Sequence, residues 1–436
     1  MKPMKHWNRD DIEKVADALE ASETPEPVKP QTEPEPEAPE NLVAPQELPR
    51  RTQLLLTLLY ALGMGLMCLW VGFHLNRWIF LAFRWDTTVL IWGLMAIFFA
   101  SSLITGRKYL VAGGKLRTYL CGVSTFLMMW LSIGYLVSDI FCRLTWRNSL
   151  ADVRRSGWYV VLFVGLLALY SYQHRKAIHV RKLTLPLVEG PCRVVLISDL
   201  HIGYYVGKYH IGRMVAQINA LKPDCVLIAG DLFNSGNTAE CKALAQVTLL
   251  LGAIKAPVYA ITGNHDPEPK NRYFRKFLQI ADIHLLDDEV ITNAQFQLAG
   301  RRTCTLPRKP LADLMAERSR PLIVLDHDPK GIPEAVEQKA ALVLCGHTHR
   351  GQVFPLNLFV RLAYQPWQIY GLSKQEGTHV YVTSGAGYFS MPMRLGSSCE
   401  VVCLDIGTPK PEPPAEESAP EEAPTQETSE TPASPS

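Results

Sequence analysis

Five short apolar runs in the second half of this chain each end in side chains able to bind a cation. RVVLIS is followed by Asp199 and His201, CVLIAG by Asp231, and PVYAITG by Asn264, His265 and Asp266. LIVL precedes Asp326, His327 and Asp328, and ALVLCG precedes His347 and His349. Taken singly, each is ordinary: an Asp after a strand commonly caps a turn or helix, and a lone His is commonly a hydrogen-bonded core or surface residue. Five strand ends that all supply imidazole, carboxylate or amide oxygen are not explained by capping. The set has no thiolate, which suits Mn, Fe or Zn better than a sulfur-rich structural zinc site. Two such divalent ions about 3.5–4 Å apart, sharing one bridging carboxylate, can clamp the oxygens of an in-line phosphoryl displacement and activate a bridging water.

What must position these residues is a sheet. Each run is short, continuous and rich in Val, Ile and Leu, the pattern of a strand covered on both faces. Open α/β sheets gather ligand sites at the carboxyl ends of their strands, where loops bring distant residues together. Residues 177–407 are numerous enough for one such α/β domain.

The preceding region, 51–176, has a different texture. An uncharged run between Arg51 and Arg77 is long enough at 1.5 Å per residue to cross a bilayer core of about 30 Å. Three more follow, at about Thr87–Thr105, Thr118–Ser138 and Gly157–Tyr172, none with a charged residue in its interior. Four transmembrane helices would leave both termini on one side. Arg50, Arg51, Arg107, Lys108, Lys115, Arg117, Arg175, Lys176, Arg181 and Lys182 flank one face, against Arg77, Arg84, Arg143, Arg147, Arg154 and Arg155 on the other. That excess places the 177–407 region in the cytoplasm, on a multi-pass inner-membrane anchor.

Residues 1–50 and 408–436 read as disordered acidic tails, since the stretch from about Glu20 to Glu47 and that from Pro409 onward are dominated by Pro, Glu and Thr or Ala and Ser. The formal net charge of +2 and the lack of a basic run interleaved with aromatics give no indication of a nucleic-acid partner. The ten cysteines are scattered without a CxxC, as expected of free thiols in a reducing compartment.

The blocks ISDLHIG, AGDLFNSG, TGNHD, LDHDP and GHTHRGQ, in that order, resemble the calcineurin-like metallophosphoesterases across roughly residues 190–405. The later segments GHTHRGQVFPLNLF and YVTSGAGYFSMPMRLGSSCEV resemble the bacterial membrane-associated branch of that family. The multi-pass helical region lies outside this match; for the part that follows it, the resemblance implies a four-layer α/β/β/α sandwich with a dinuclear metal centre. It would assign Asp199, His201 and His349 to one metal, Asn264, His327 and His347 to the other, and Asp231 to both. His265 matches the family histidine that faces the phosphate, with Asp266 as its orienter or, equally, a turn cap. Arg350 is a candidate contact for a phosphate oxygen. Asn234 and Thr303 stand where relatives often carry Asp, which alters pocket polarity without removing a ligand.

The expected activity is hydrolysis of a phosphomonoester, phosphodiester or pyrophosphate by metal-activated hydroxide, the substrate being soluble or, because the site is tethered to a bilayer, lipid-linked. A non-catalytic membrane receptor or scaffold that keeps the fold is the alternative, and the intact ligand set argues against it.

Overall fold

A computed structural model of the chain describes residues 9–23, 50–105, 114–147, 149–203, 205–234, 241–315 and 318–408. Most of the acidic stretch between Glu20 and Glu47, the basic flank at Arg107 and Lys108, and the tail from Pro409 onward lie outside the described residues.

The expectation of disorder throughout residues 1–50 is corrected at α1, Arg9–Glu23. Ile12, Val15, Ala16 and Leu19 recur at helical spacing, and Ala16 and Leu19 are fully enclosed in the core of the downstream domain. The Pro-rich composition that signals disorder begins only after this stripe. Leu19→Ala is expected to destabilise that domain by about 2–4 kcal/mol, read from a denaturant melt, without altering turnover.

Four apolar helices follow: α2 (Arg50–Phe83), α3 (Thr88–Thr105), α4 (Gly114–Leu144) and α5 (Leu150–His174). Within them Leu58–Phe83, Tyr119–Leu144 and Leu150–His174 are long and apolar enough to cross a membrane, while Thr88–Ala100 is shorter. The last helix extends past the apolar run read from sequence because Ser149 and Asp152 form a reciprocal capping box at its start. Leu58, Leu62, Leu66 and Leu69 on α2, and Leu162, Phe163, Leu166 and Leu169 on α5, face outward. Such a continuous apolar exterior calls for lipid rather than water. The expectation that no span holds an interior charge is corrected too: α2 runs past Arg77 to Phe83, and α4 past Asp139 and Arg143 to Leu144.

The downstream domain contains β1 (Ile178–Val188), β2 (Arg193–Ile197), α6 (Lys208–Leu221), β3 (Cys225–Ala229), α7 (Cys241–Leu251), β4 (Val258–Ile261), α8 (Arg272–Ile280) and β5 (Ile283–Leu285). There follow β6 (Glu289–Thr292), β7 (Gln297–Gly300), α9 (Leu311–Leu314), β8 (Leu322–Leu325), α10 (Ile332–Glu337) and β9 (Leu342–Cys345). The chain ends in α11 (Leu356–Ala363), β10 (Gly371–Gln375), β11 (Thr378–Val382) and β12 (Cys399–Gly407).

Two six-stranded sheets result, ordered β1-β12-β2-β3-β4-β5 and β10-β11-β9-β8-β7-β6. Strand periodicity explains the layers. On β2, Val194 and Leu196 point between the sheets while Val195 and Ile197 meet the helices outside. On β9, Leu342 and Leu344 point inward, with Val343 and Cys345 packed on the outer layer around Ile332 and Ala335. Helices therefore flank two stacked sheets, the expected four-layer sandwich. Parallel pairing of β2, β3 and β4, and of β7, β8 and β9, sets their carboxyl ends side by side.

The domain is seated directly on the apolar helices. Val353, Met391 and Met393 share a core with Phe126 and Trp130 of α4 and Val160 and Val164 of α5. Arg175 donates to the hydroxyls of Tyr388 and Tyr119, and the Arg394 N–H donates to Ser171 O.

Candidate metal centre

The strand-end residues converge into two clusters. Asp199, His201 and His349 form one, Asp231, His327 and His347 the other, with the potential ligand atoms in each within 4.8 Å of one another. In the first, His201 Nε2 lies 2.9 Å from His349 Nε2, and the latter is 3.4 Å from Asp199 Oδ1. In the second, His327 Nε2 lies 3.2 Å from Asn264 Oδ1 and 3.3 Å from His347 Nδ1. Asp231 Oδ2 stands between the two, 3.2 Å from His327 Nε2 and 3.7 Å from His201 Nε2.

Backbone strain aims these side chains. Asp199, His201, Asp231, His347 and His349 all have φ between 46° and 70°. The left-handed region is unfavourable for such residues by about 1–2 kcal/mol each. The turns need glycine beside them. A Cβ on Gly230, itself at φ 82°, would come within 2.6 Å of His327 Nδ1, and one on Gly263 would strike the Asp231 carboxylate.

Hydrogen bonds fix the rings. His327 Nδ1 donates to Ala229 O at 2.7 Å, which turns Nε2 toward Asp231. The Asp328 carboxylate lies 4.0 Å from His347 Nε2, leaving Nδ1 of that ring facing His327. The His347 N–H donates to both oxygens of Asp199 at 3.1 Å each, tying the first and fifth strand ends together.

Electrostatics prepares the same atoms. Burial lowers His201 to about 3 and His347 to about 4, and takes His349 well below its ordinary value, so all three are neutral with a free lone pair at neutral pH. Burial raises Asp199 to about 6, still ionised at neutral pH. Burial opposes the charge of Asp231, but the adjoining His327 imidazolium overcomes it and holds the carboxyl far below its usual range. For His327 the balance is the converse: burial lowers it, and the Asp231 carboxylate lifts it to about 10. Ionised carboxylates and lone pairs packed this closely need a compensating positive charge, and a divalent cation would take the place of the His327 proton. The donor set thus fits two divalent ions.

The remaining sequence candidates fall around this centre. His265 lies outside both clusters, its ring edge-on to that of His201 with centroids 5.3 Å apart, and its backbone N–H donates to Asp231 Oδ1 at 2.9 Å. Asp266 accepts from the N–H groups of Phe233 (2.8 Å) and Gly263 (2.9 Å), the turn-capping alternative; burial followed by the charge of Asp231 raises it to about 7. Arg350 places its guanidinium over the Tyr370 ring, 4.5 Å from the centroid. Asp326 turns away to pair with Arg308 at 2.9 Å. A cavity of about 320 Å³ opens beside Asn264 and His265 and is also lined by Thr303, Thr305 and Leu306. Asn234 Oδ1 is buried with no hydrogen-bond partner among the described residues.

Two neighbours were not singled out from sequence. Phe389 packs 4.4 Å from the His265 ring and 5.0 Å from His201. Arg394, fully buried, donates to His349 O at 3.1 Å and to Ser384 O at 2.9 Å, bracing the loop that carries His349. Its signals were a lone cation in the otherwise apolar MPMRLG stretch and its place in the YVTSGAGYFSMPMRLGSSCEV segment.

A family model for calcineurin-like phosphoesterases matches residues 192–351. An uncharacterised metallophosphoesterase of Helicobacter pylori is 30% identical over 60% of this chain and 72% of its own length. A transmembrane protein with a metallophosphoesterase domain from Danio rerio is 32% identical over 50% of this chain and 53% of its own. The Escherichia coli phosphodiesterase YaeI is 29% identical over 50% of this chain and 83% of its own.

Proposed function

This chain belongs to the calcineurin-like metallophosphoesterase family, and from that premise we propose that it hydrolyses a phosphate ester or pyrophosphate of a lipid-linked substrate at the surface of its own membrane. It is a metal-dependent phosphoester hydrolase and a membrane protein. Asp199, His201 and His349 would hold one divalent ion and Asn264, His327 and His347 the other, with Asp231 reaching both. Ions held there supply a water of lowered pKa and positive charge for the phosphoryl oxygens. Ala229 orients the imidazole of His327 by accepting from its Nδ1, and the Asp328 carboxylate lies 4.0 Å from Nε2 of the His347 ring. His265, at the rim beside the cavity, would donate a proton or hydrogen bond to the phosphoryl or leaving oxygen. Thr303 and Thr305 offer hydroxyls where a carboxylate would repel the substrate's charge.

One observation carries the lipid reading. Directly after His349 and Arg350 the chain forms α11, whose Leu358, Phe359 and Leu362 are exposed. Phe354 at its start packs against Trp130 of α4, and Tyr364 at its end donates to Asp328 Oδ1 at 3.1 Å, beside His347. A single segment thus joins the metal centre to the membrane helices while presenting an apolar face, the character of an interfacial helix. Phe359→Glu is expected to lower turnover of a phosphodiester lipid in mixed micelles about tenfold or more and to leave a soluble aryl phosphodiester unaffected. Equal rates on both substrates before and after the change would remove the lipid reading.

The topology we infer has four crossings and a cytoplasmic hydrolase domain on the inner membrane. Parity supports it: α1, ahead of the spans, packs on α7 and α8, behind them, which favours an even number of crossings between. With three long helices, α3 supplies the fourth; its 18 residues span about 27 Å. The basic flanks favour the cytoplasmic side. A reporter fused after Ser436 would read the side.

A further inference from the structure

The two corrected spans meet around a second polar site. A cavity of about 170 Å³, far above the ~10–15 Å³ that admits one water, lies between α2, α4 and α5. His74, Arg77, Trp78, Tyr135, Asp139 and Arg143 line it. Its lining on α5 is Val153, Ser156 and Gly157. The hydrolase domain follows the other end of that helix, at His174, so the cavity sits about 25–30 Å from it along the helix, at the opposite end of the bundle.

Three of the lining groups are nine-tenths or more buried: His74 and Trp78 are each 8% exposed and Tyr135 3%. His74 Nε2, Trp78 Nε1 and the Tyr135 hydroxyl have no hydrogen-bond partner among the described residues. His74 stacks on Tyr135 at 4.8 Å, which holds both rings in place, and its Nε2 stands 3.5 Å from Asp139 Oδ2, beyond good hydrogen-bond length. Donors placed in an apolar layer with nothing to accept from them are unfavourable, and polar or charged groups at such depth mark binding sites. The lining is rich in donors, with two guanidinium groups, an indole N–H, a phenol and an imidazole against one carboxylate. An acceptor-rich anion is its complement, and guanidinium pairs favour phosphate oxygens.

We propose that this cavity binds a phosphate group at the membrane face away from the metal centre. Arg77 and Arg143 neutralise its charge, Trp78 and Tyr135 donate to its oxygens, and Asp139 holds His74 in register or meets an ammonium attached to the same headgroup. The site is separate from the hydrolytic centre and does not depend on the substrate assigned there. Two sources share this chemistry, a phospholipid headgroup and a free phosphate ion.

The test uses the full chain purified in mild detergent. Native mass spectrometry is expected to find one phospholipid retained per chain, with retention at least tenfold lower in Arg77→Gln combined with Arg143→Gln, and reduced in Tyr135→Phe. After delipidation, a rise in melting temperature with phosphatidylglycerol but not with inorganic phosphate identifies a headgroup site. A rise with both identifies a site for the free ion. Hydrolysis of a soluble aryl phosphodiester, unchanged in these variants, reports that each is folded; should the double variant not be recovered, Tyr135→Phe decides alone. Lipid retention and melting shifts equal in wild type and variants, or no shift with either probe, would overturn the proposal.

Discussion

Asp231→Asn is expected to empty the metal centre and reduce phosphodiester turnover about 10³-fold or more. The substitution keeps the shape of the side chain and an oxygen to accept the His265 N–H, now 2.9 Å from Oδ1. What it removes is the charge at the one position that faces both clusters, 3.2 Å from His327 Nε2 and 3.7 Å from His201 Nε2. Without that charge, dications held by the two clusters would repel each other across a neutral amide, and His327 would lose the partner that offsets its burial. Ions at such sites contribute several kcal/mol of transition-state stabilisation, and each 1.36 kcal/mol is a factor of ten. Elemental analysis of the purified variant should find fewer than one ion per chain. Two ions retained would contradict the shared role of Asp231, whatever the rate.

The two candidate ligand clusters were legible because two regularities coincide in the sequence. Residues that alternate between two buried layers must be apolar, so β2, β3, β4, β8 and β9 read as short apolar runs rich in Val, Ile and Leu. Their polar followers then stand at the carboxyl edge of the sheets by topology alone. Residues acting at a distance left weaker marks. Arg394 reaches His349 from a loop far along the chain, and Phe389 meets two imidazoles from the same loop; nothing in local spacing ties either to the site. Asp266 had two readings from sequence because a carboxylate beside a histidine can orient it or cap a turn. The N–H groups of Phe233 and Gly263 at its oxygens support the cap.

Composition misled in two places for opposite reasons. Near the N-terminus, averaging over residues 1–50 let the Pro- and Glu-rich stretch conceal the stripe of Ile12, Val15, Ala16 and Leu19, although four apolar residues on one helical face suffice to dock on a larger core. In the spans, ending each apolar run at its first charge excluded Arg77, Asp139 and Arg143 from helices that continue through them. A bundle can bury the polar sides of its helices against one another, so an uncharged window marks only the part that lipid must touch.

His265→Ala is expected to lower turnover about 10²–10⁴-fold while both ions remain bound. The variant keeps the backbone N–H that donates to Asp231 Oδ1, and the ring belongs to neither ligand cluster, so the metal centre has no reason to reorganise. Phe389, 4.4 Å from the ring, and the edge-on contact with His201 limit its rotation, leaving the imidazole at the rim of the cavity bordered by Asn264, Thr303 and Leu306. From there it can serve as a proton donor to the departing oxygen or as a fixed donor to the phosphoryl group, and leaving-group dependence separates the two. A nitrophenolate departs without protonation, whereas an alkoxide does not. Proton donation therefore predicts a large loss on an alkyl phosphodiester and a small one on a nitrophenyl ester. Charge stabilisation predicts equal losses, because the phosphoryl oxygens are the same in both. Turnover unchanged on both esters, with metal content intact, would exclude His265 from the reaction.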